Sequence, residues 1–250
     1  MIKVEPVSKS VTVVQFDHGP VSALDLEFLL ALRGELAALA ETDAALVLTG
    51  TGSAFSAGVD LVRLLEGGTD YVAEFIPALA GAFADLFAYR RPVVAAVNGH
   101  AIAGGCVIVS CADHRLMADG RARIGVPELL VGVPFPAVAL LAVRYGLGDV
   151  GAAELVYSGA TLLPDEALRR GLVDEVVPAA EVLDRALSKA EQLAAIPAPT
   201  FLHTKHSLRD RYWTELETTG RSRDAEMLEM WGSPTVLSAI ADYVKKTLGK

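Results

Sequence analysis

A stretch of 21 consecutive uncharged residues, residues 92–112, constrains the fold of this chain more than any other feature. Its length is that of a membrane span, which needs about 20 apolar residues. It also contains Pro92, Asn98, His100 and the pair Gly104–Gly105, and it lacks the aromatic residues that anchor spans at the membrane interface. We therefore expect this stretch to lie buried in a globular protein, with a strand at "PVVAAVNGH" and a helix that begins after the two glycines.

The composition is that of a compact protein, since hydrophobic residues make up 52% of 250 residues. A net charge of −9 argues against a basic face for nucleic acid, but a few Lys or Arg residues could still bind a small anion. Both cysteines, Cys106 and Cys111, lie within the uncharged stretch, and we expect buried free thiols rather than a metal site. The first 17 residues carry charges and lack the apolar region of a signal peptide, so we expect a cytoplasmic protein.

Strand-like and helix-like patterns alternate along the chain and predict β-α-β units. Ser22 is expected to cap the first helix, which leads into the buried strand "AALVLTGTG". After about residue 135 the pattern is mainly helical. The segment "IPAPT" marks a break, which divides the chain into a predicted core domain, residues 1–195, and a C-terminal helical segment, residues 196–250.

Two glycine-bearing turns, each directly after a predicted buried strand, are candidates for chemistry. They are "GTGSAFSAGVDL" at residues 50–61 and "NGHAIAGGC" at residues 98–106. Small residues let a ligand approach the backbone, and free N–H groups at the start of a helix favour negative charge. Two such donors that converge on one oxygen form an oxyanion hole, although both segments could also be ordinary strand-to-helix turns. Neither fits the glycine patterns of nucleotide-binding loops.

Glu128 is the candidate acid/base. It stands alone in a window without any other charged residue from Ile124 to Val143. A carboxylate among aliphatic groups loses hydration, which raises its pKa and suits it to proton transfer. The alternative is that Glu128 caps a helix or faces solvent after Pro127.

Four segments, in order, resemble the enoyl-CoA hydratase/isomerase (crotonase) family: "GSAFSAGVDL", "RPVVAAVNGHAIAGGC", "DHRLMAD" and "IGVPELLVGV". The similarity runs from about residue 10 to residue 180. It implies an α/β fold, a crotonase-like spiral of repeated ββα units, with C-terminal helices that build a trimer or a dimer of trimers. It also implies an acyl-CoA thioester as substrate, with coenzyme A as part of that substrate and no separate cofactor or metal.

The resemblance also implies roles for single residues. The oxyanion hole would consist of the backbone N–H groups of Val59 and Gly104. Lys205, in the basic cluster "HTKHSLRDR", is a candidate for contact with a CoA phosphate. The chain departs from the family at Ser22, where an Asn is usual. The other residues implied to contact the substrate or its CoA part are Ala23, Leu24, Ala57, Gly58, Asp60, Leu61 and Gly105.

One position separates the possible activities. Hydratases of the family resemble one another in two glutamates that hold and activate water; one matches Glu128, but the other would stand where this chain has Val107. Moving a double bond needs only one acid/base, which takes a proton from C2 and returns it at C4. The pattern therefore resembles the Δ3,Δ2-enoyl-CoA isomerase branch. A hydratase or other acyl-CoA lyase that uses Glu128 and a bound water, and a non-catalytic acyl-CoA binder, are the alternatives.

The remaining polar residues near these motifs have structural interpretations. His100 is expected to be packed or hydrogen-bonded rather than a base. Asp60 is expected to cap the helix that follows its loop. Asp113 and Arg115 are expected to satisfy local backbone groups or to pair with each other.

Overall fold

The computed structural model describes residues 1–247. These residues form strands and helices, with a single turn of 3-10 helix at Ala179–Glu181 and a π-helical turn at Leu216–Gly220. The strands are β1 (Ile2–Pro6), β2 (Val11–Phe16), β3 (Ala23–Leu24), β4 (Ala45–Thr49), β5 (Ala54–Ser56), β6 (Gly58–Val59), β7 (Val93–Val97), β8 (His100–Ile102), β9 (His114–Ala118), β10 (Ile124–Gly125), β11 (Thr161–Leu162) and β12 (Glu175–Val177). The helices are α1 (Leu26–Ala40), α2 (Leu61–Ala88), α3 (Gly104–Ser110), α4 (Glu128–Val131), α5 (Ala137–Ser158), α6 (Pro164–Arg170), α7 (Val182–Ala194), α8 (Ala198–Glu215), α9 (Arg221–Trp231) and α10 (Pro234–Thr247).

Three successive units of the chain repeat one pattern of two strands followed by a helix. The first strands of these units, β4, β7 and β9, are neighbours in a six-stranded sheet of order β1-β2-β4-β7-β9-β12. The second strands, β5, β8 and β10, are neighbours in a four-stranded sheet of order β11-β10-β8-β5. Helices α2, α3 and α4 follow them. This is the predicted α/β spiral of ββα units, which the structure confirms.

The uncharged stretch lies in the centre of this arrangement. It forms β7, β8 and α3, and every residue of β7 and α3 is buried. Strand β7 pairs in parallel with β4 on one side and β9 on the other, which explains why its sequence is continuously apolar instead of alternating. Cys106 and Cys111 are buried free thiols, as expected, and burial raises the pKa of the Cys111 thiol to about 12.

Helices cover both faces of the six-stranded sheet. Helix α7 packs on one face, where Val182, Ala186 and Ala190 meet apolar residues of β2, β4, β7 and β9. The larger core on the other face includes residues of α1, α2, α3 and α5, together with Trp231 and Ile240 from the C-terminal helices. The C-terminal helices therefore share the core of the residues that precede them. The break between α7 and α8 falls at residues 195–197, where the sequence predicts a division.

The longest helix, α2, is also apolar and long enough to cross a membrane. In this structure, half of its most apolar window is buried within the protein. It bends at Gly68, whose φ of 61° and ψ of −154° are not helical. A residue with a side chain rarely adopts such a positive φ, so the bend requires glycine.

The cap of the first helix is Asp25 and not Ser22, the residue that the sequence predicts. Helix α1 begins at Leu26, and Asp25 caps it by accepting a hydrogen bond from the Phe28 N–H at 2.8 Å. Ser22 is buried with a φ of 47°, and its hydroxyl donates to the Phe16 carbonyl. The sequence could not separate these two positions because Ser and Asp are both favoured caps.

Candidate active site

The two glycine-bearing turns meet at the carboxyl ends of neighbouring parallel strands. Strand β5 pairs in parallel with β8, and β8 in parallel with β10. The residues that follow these strands therefore lie at the same edge of the four-stranded sheet. Ligands of open α/β sheets commonly bind at this edge. Val59, Gly104 and Glu128, each located shortly after one of these strands, all line a single cavity, called the site cavity below.

Close backbone approach explains the glycines at this junction. A Cβ atom on Gly58 would lie 2.6 Å from the Ile102 carbonyl oxygen and 2.8 Å from the Ala103 Cβ. A Cβ atom on Gly104 would lie 2.7 Å from a methyl carbon of Leu24. Real Cβ contacts are not this short, so only glycine at position 58 allows the two turns to come together, whereas a Cβ atom on Gly104 would require the Leu24 side chain to shift.

The predicted CoA-contact residues near the N-terminus are brought to the same place. Strand β3 pairs in parallel with β6, with Ala23 opposite Gly58 and Leu24 opposite Val59. The Ser56 hydroxyl donates to the Ser22 carbonyl at 2.8 Å, which fastens the first turn to the start of β3. Residues 23–24 and 58–59 therefore form one small two-stranded sheet beside the cavity.

The two predicted oxyanion donors have suitable backbone positions. The Asp60 N–H donates to the Leu24 carbonyl at 3.0 Å, toward β3. Because consecutive N–H groups of a strand point to opposite sides, the Val59 N–H points away from β3. Gly104 is the first residue of α3, so its N–H has no acceptor within the helix.

Ala103 contributes a feature that the sequence did not reveal. Its φ of 52° and ψ of −123° lie outside the regions that are favourable for alanine. Its N–H donates to the Gly125 carbonyl at 2.8 Å, and it lines the site cavity. Strained backbone of this kind often occurs at functional sites, and here it directs the chain from β8 into α3.

Glu128 is the only carboxylic acid among the residues that line the site cavity in the described part of the chain. Although the residue as a whole is partly exposed, its Oε2 atom is buried without a hydrogen-bond partner. Burial raises the pKa of the Glu128 carboxyl to about 8. The structure therefore holds a carboxyl that can exchange a proton near neutral pH, facing an apolar cavity.

Val107 lies one helical turn after Gly104 and also lines the site cavity. It is 1% exposed, and its N–H donates to the Ala103 carbonyl as part of α3. An acid at this position would share the cavity with Glu128. Instead, an isopropyl group fills the space, so no second carboxylate is available from this helix.

The site cavity has a volume of about 90 Å³ and mostly apolar walls. Of the predicted residues, Ala57 and Leu61 line it, as do Val59, Gly104 and Glu128. The sequence did not identify the residues of its distal wall, because they come from α2, α4, the loop after α4 and the C-terminal helices, and no local motif marks them. They include Leu79, Phe83, Val131, Val133, Pro134, Phe135, Trp231 and Tyr243.

Five predicted residues lie at this junction without lining the cavity: Ala23, Leu24, Gly58, Asp60 and Gly105. Gly58 and Leu24 hold the two turns together, as described above. A Cβ atom on Gly105 would lie 2.4 Å from the Ser56 carbonyl oxygen, so Gly105 lets α3 approach β5. Asp60 caps α2 by accepting from the Arg63 N–H at 2.9 Å, which confirms its predicted structural role.

The structure corrects the prediction for Lys205. Its side chain is buried, and its Nζ donates to Asp113 Oδ2 at 2.7 Å and to the Arg91 carbonyl at 3.3 Å. The Asp113 Oδ1 atom accepts from Arg209 at 2.8 Å. An ammonium that is enclosed and paired in this way cannot reach a CoA phosphate. The basic residues of this segment do not share one exposed face of α8, because Lys205 and Arg209 lie on its buried face.

The other polar candidates have structural roles. The exposed His100 accepts a hydrogen bond from the Arg123 N–H through Nδ1, as expected for a hydrogen-bonded residue. Asp113 accepts from the Val93 N–H at 2.8 Å, while Arg115 pairs with Asp174 at 2.8 Å instead of with Asp113. Among residues 1–247, no group of three or more His, Cys, Asp or Glu side chains is arranged to hold a metal ion.

Comparison with known sequences connects this geometry to one family. A family profile described as enoyl-CoA hydratase/isomerase matches residues 7–246. Human enoyl-CoA delta isomerase 1, mitochondrial, is 33% identical over 232 residues, which cover 90% of this chain and 76% of the human protein. The 2,3-dehydroadipyl-CoA hydratase of Escherichia coli is 30% identical over 224 residues, which cover 88% of this chain and 84% of that protein.

Comparison with solved structures gives the same relationship. The crystal structure of human mitochondrial delta3-delta2-enoyl-CoA isomerase superimposes with a TM-score of 0.93 at 28% identity, covering 99% of this chain and 98% of the human chain. The proteins that resemble this chain thus include both an isomerase and a hydratase.

Proposed function

Because this chain belongs to the enoyl-CoA hydratase/isomerase family, we propose that it converts a 3-enoyl-CoA into the trans-2-enoyl-CoA. Members of the family act on acyl-CoA thioesters. The observation that carries the proposal is that Glu128 and Val107 both line the site cavity, and only Glu128 is an acid. Double-bond migration needs one acid/base, whereas hydration also needs a water molecule to be held and deprotonated.

The reaction balances with this one carboxyl group. The Glu128 carboxylate removes a proton from C2, and the electrons of that C–H bond move through the thioester to give a dienolate. The N–H groups of Val59 and Gly104 stabilise the negative oxygen. The protonated Glu128 then delivers its proton to C4, which leaves the double bond between C2 and C3 and restores the carboxylate. No atom is gained or lost, so no cofactor is proposed beyond the coenzyme A of the substrate.

The cavity walls support the same assignment. Apolar side chains around Glu128 exclude water, which strengthens the hydrogen bonds to the dienolate and limits competing addition of water. The raised pKa of the Glu128 carboxyl, about 8, also suits a group that must both take and return a proton.

A panel of acyl-CoA substrates tests the proposal. Purified protein is assayed for the double-bond shift with 3-hexenoyl-CoA and for hydration with crotonyl-CoA. We expect the shift to be the faster reaction. Efficient hydration without any shift would replace the isomerase assignment by the hydratase alternative.

Isotope exchange separates an enzyme from a binding protein. In D₂O, the wild-type protein is expected to exchange the C2 proton of a bound saturated acyl-CoA. Glu128→Gln is expected to abolish exchange and turnover while retaining affinity for acyl-CoA, and Glu74→Gln, at an exposed position on α2, is the matched control. Binding without exchange by the wild-type protein would identify a non-catalytic acyl-CoA binder.

We also propose that the protein is cytoplasmic and assembles into a homotrimer or a dimer of trimers. A second cavity of about 540 Å³, called the outer groove below, is lined by Leu129, Tyr157 and Met230, among others. These three side chains are from 42% to 80% exposed, and a patch of exposed apolar residues is typical of an interaction surface. Sedimentation equilibrium measures the assembly state, and a monomer at micromolar concentration would contradict this proposal.

A further inference from the structure

The distal wall of the site cavity bears on the length of acyl chain that the cavity can accept. When the thioester oxygen lies at the N–H groups of Val59 and Gly104, and C2 to C4 lie beside Glu128, the remaining carbons must occupy the rest of the cavity. Trp231 of α9 and Tyr243 of α10 line the same cavity, and they are not among the groups assigned to the reacting atoms. The residues that limit the acyl chain therefore include side chains far along the chain from the reacting groups.

Trp231 is held in a fixed position. It is 2% exposed, and its Nε1–H donates to the Pro134 carbonyl at 3.0 Å. Rotation of the indole away from the cavity would leave this buried donor unpaired, which is costly. The Trp231 side chain is therefore fixed in the wall and does not rotate aside to admit a longer ligand.

The same wall separates two cavities of very different size. Pro134 and Phe135 line both the site cavity, about 90 Å³, and the outer groove, about 540 Å³. Trp231 lines only the site cavity, and its Nε1–H donates to the Pro134 carbonyl from that side. The hydrogen bond between Trp231 and Pro134 thus stabilises the wall that the two cavities share.

The volume of the site cavity limits what it can take. About 90 Å³ is less than the roughly 150 Å³ of an engineered cavity that binds benzene. We propose that Trp231, fixed by Pro134, ends the acyl-binding space, so that the preferred substrate is a short-chain 3-enoyl thioester. This inference rests on the proposed function, because it assumes an acyl-CoA ligand.

A chain-length series tests the inference. The values of kcat/KM are measured for 3-hexenoyl-, 3-octenoyl- and 3-dodecenoyl-CoA. The wild-type protein is expected to prefer hexenoyl over dodecenoyl by at least about tenfold, because added methylenes find no space. Trp231→Ala is expected to reduce this preference to less than about threefold or to reverse it, mainly by improving the long substrates.

The chain offers a matched control. Trp213 of α8 is partly buried, packs against Phe87 and does not line the site cavity. Trp213→Ala should therefore leave the chain-length preference unchanged. Trp231→Phe, which keeps an aromatic ring but loses the N–H donor, should give an intermediate preference. If Trp231→Ala does not fold, Phe135→Ala opens the same wall and should shift the preference in the same direction.

Binding distinguishes failure of this inference from failure of the proposed function. Isothermal titration with hexanoyl- and dodecanoyl-CoA requires no turnover. If neither binds, the acyl-CoA assignment itself fails. If both bind the wild-type protein equally well, or if the preference survives in both Trp231→Ala and Phe135→Ala, only the role of Trp231 is overturned. Tighter dodecanoyl-CoA binding by the opened variants supports it.

Discussion

The buried carboxyl of Glu128 should make the protein less stable as the pH rises, and Glu128→Gln should remove that dependence. Burial raises the pKa of this carboxyl from 4.5 to about 8. Between these values the unfolded chain has released the proton while the native state retains it. The native state binds more protons, so its stability falls with increasing pH.

The magnitude follows from the size of the pH window. Each pH unit within this window corresponds to about 1.4 kcal/mol. The contribution of Glu128 to the free energy of unfolding therefore falls by about 3 kcal/mol between pH 5.5 and pH 7.5. As the pH rises over this interval, the free energy of unfolding of Glu128→Gln should therefore increase by about 3 kcal/mol relative to that of the wild-type protein. For a chain of this size, that gain corresponds to about 6–12 °C in melting temperature.

Circular dichroism melts of the ligand-free proteins at both pH values measure this difference. The cost of accommodating a buried amide is the same at both values, so it cancels from the comparison. Glu74→Gln changes an exposed carboxylate and reports the background pH effect. A difference between Glu128→Gln and wild type that is identical at pH 5.5 and pH 7.5 would refute the assignment of a buried, protonated Glu128.

Four other outcomes are expected. The kcat/KM of isomerisation should rise from pH 6 to a plateau above about pH 8, because Glu128 must be ionised to take the C2 proton; stopped assays across this range measure it. Val107→Glu places a second acid in the cavity and should raise crotonyl-CoA hydration relative to isomerisation by at least about tenfold, with Val107→Ala as control. Gly58→Ala should displace the Val59 N–H and lower kcat/KM by about 10²-fold, and a loss below threefold would contradict the oxyanion assignment. Lys205→Met removes a partner of the partly buried Asp113 carboxylate and should destabilise the fold by about 1–3 kcal/mol in urea unfolding, with the affinity for CoA unchanged.

The parts of the site that follow from local patterns could be predicted from the sequence. Apolar strands followed by glycine-bearing turns predict two turns with free N–H groups, and the resemblance to the enoyl-CoA hydratase/isomerase family implies that Val59 and Gly104 are the donors. The isolation of Glu128 among aliphatic residues indicates a raised pKa. These features are encoded within a few neighbouring residues, so short stretches of sequence reveal them.

Tertiary packing could not be predicted in this way. Lys205 lies in a basic segment, but its environment is decided by the residues that α8 packs against, which are about 90 positions away in the chain. Trp231 is about 100 positions from Glu128 and carries no motif that connects it to the site. Ser22 and Asp25 are both favourable caps, and only the three-dimensional course of the chain selects Asp25.

The repetition of the ββα units gives the site a modular construction. Each of three successive units places one group of the proposed mechanism shortly after its second strand: the N–H of Val59, the N–H of Gly104 and the carboxyl of Glu128. Backbone hydrogen bonds between neighbouring strands align these groups. Such bonds depend little on which side chains the strands carry. If the proposed mechanism holds, a fold built in this way could exchange one reaction for another by changing a single side chain, such as Val107, without altering the backbone positions that bind the thioester.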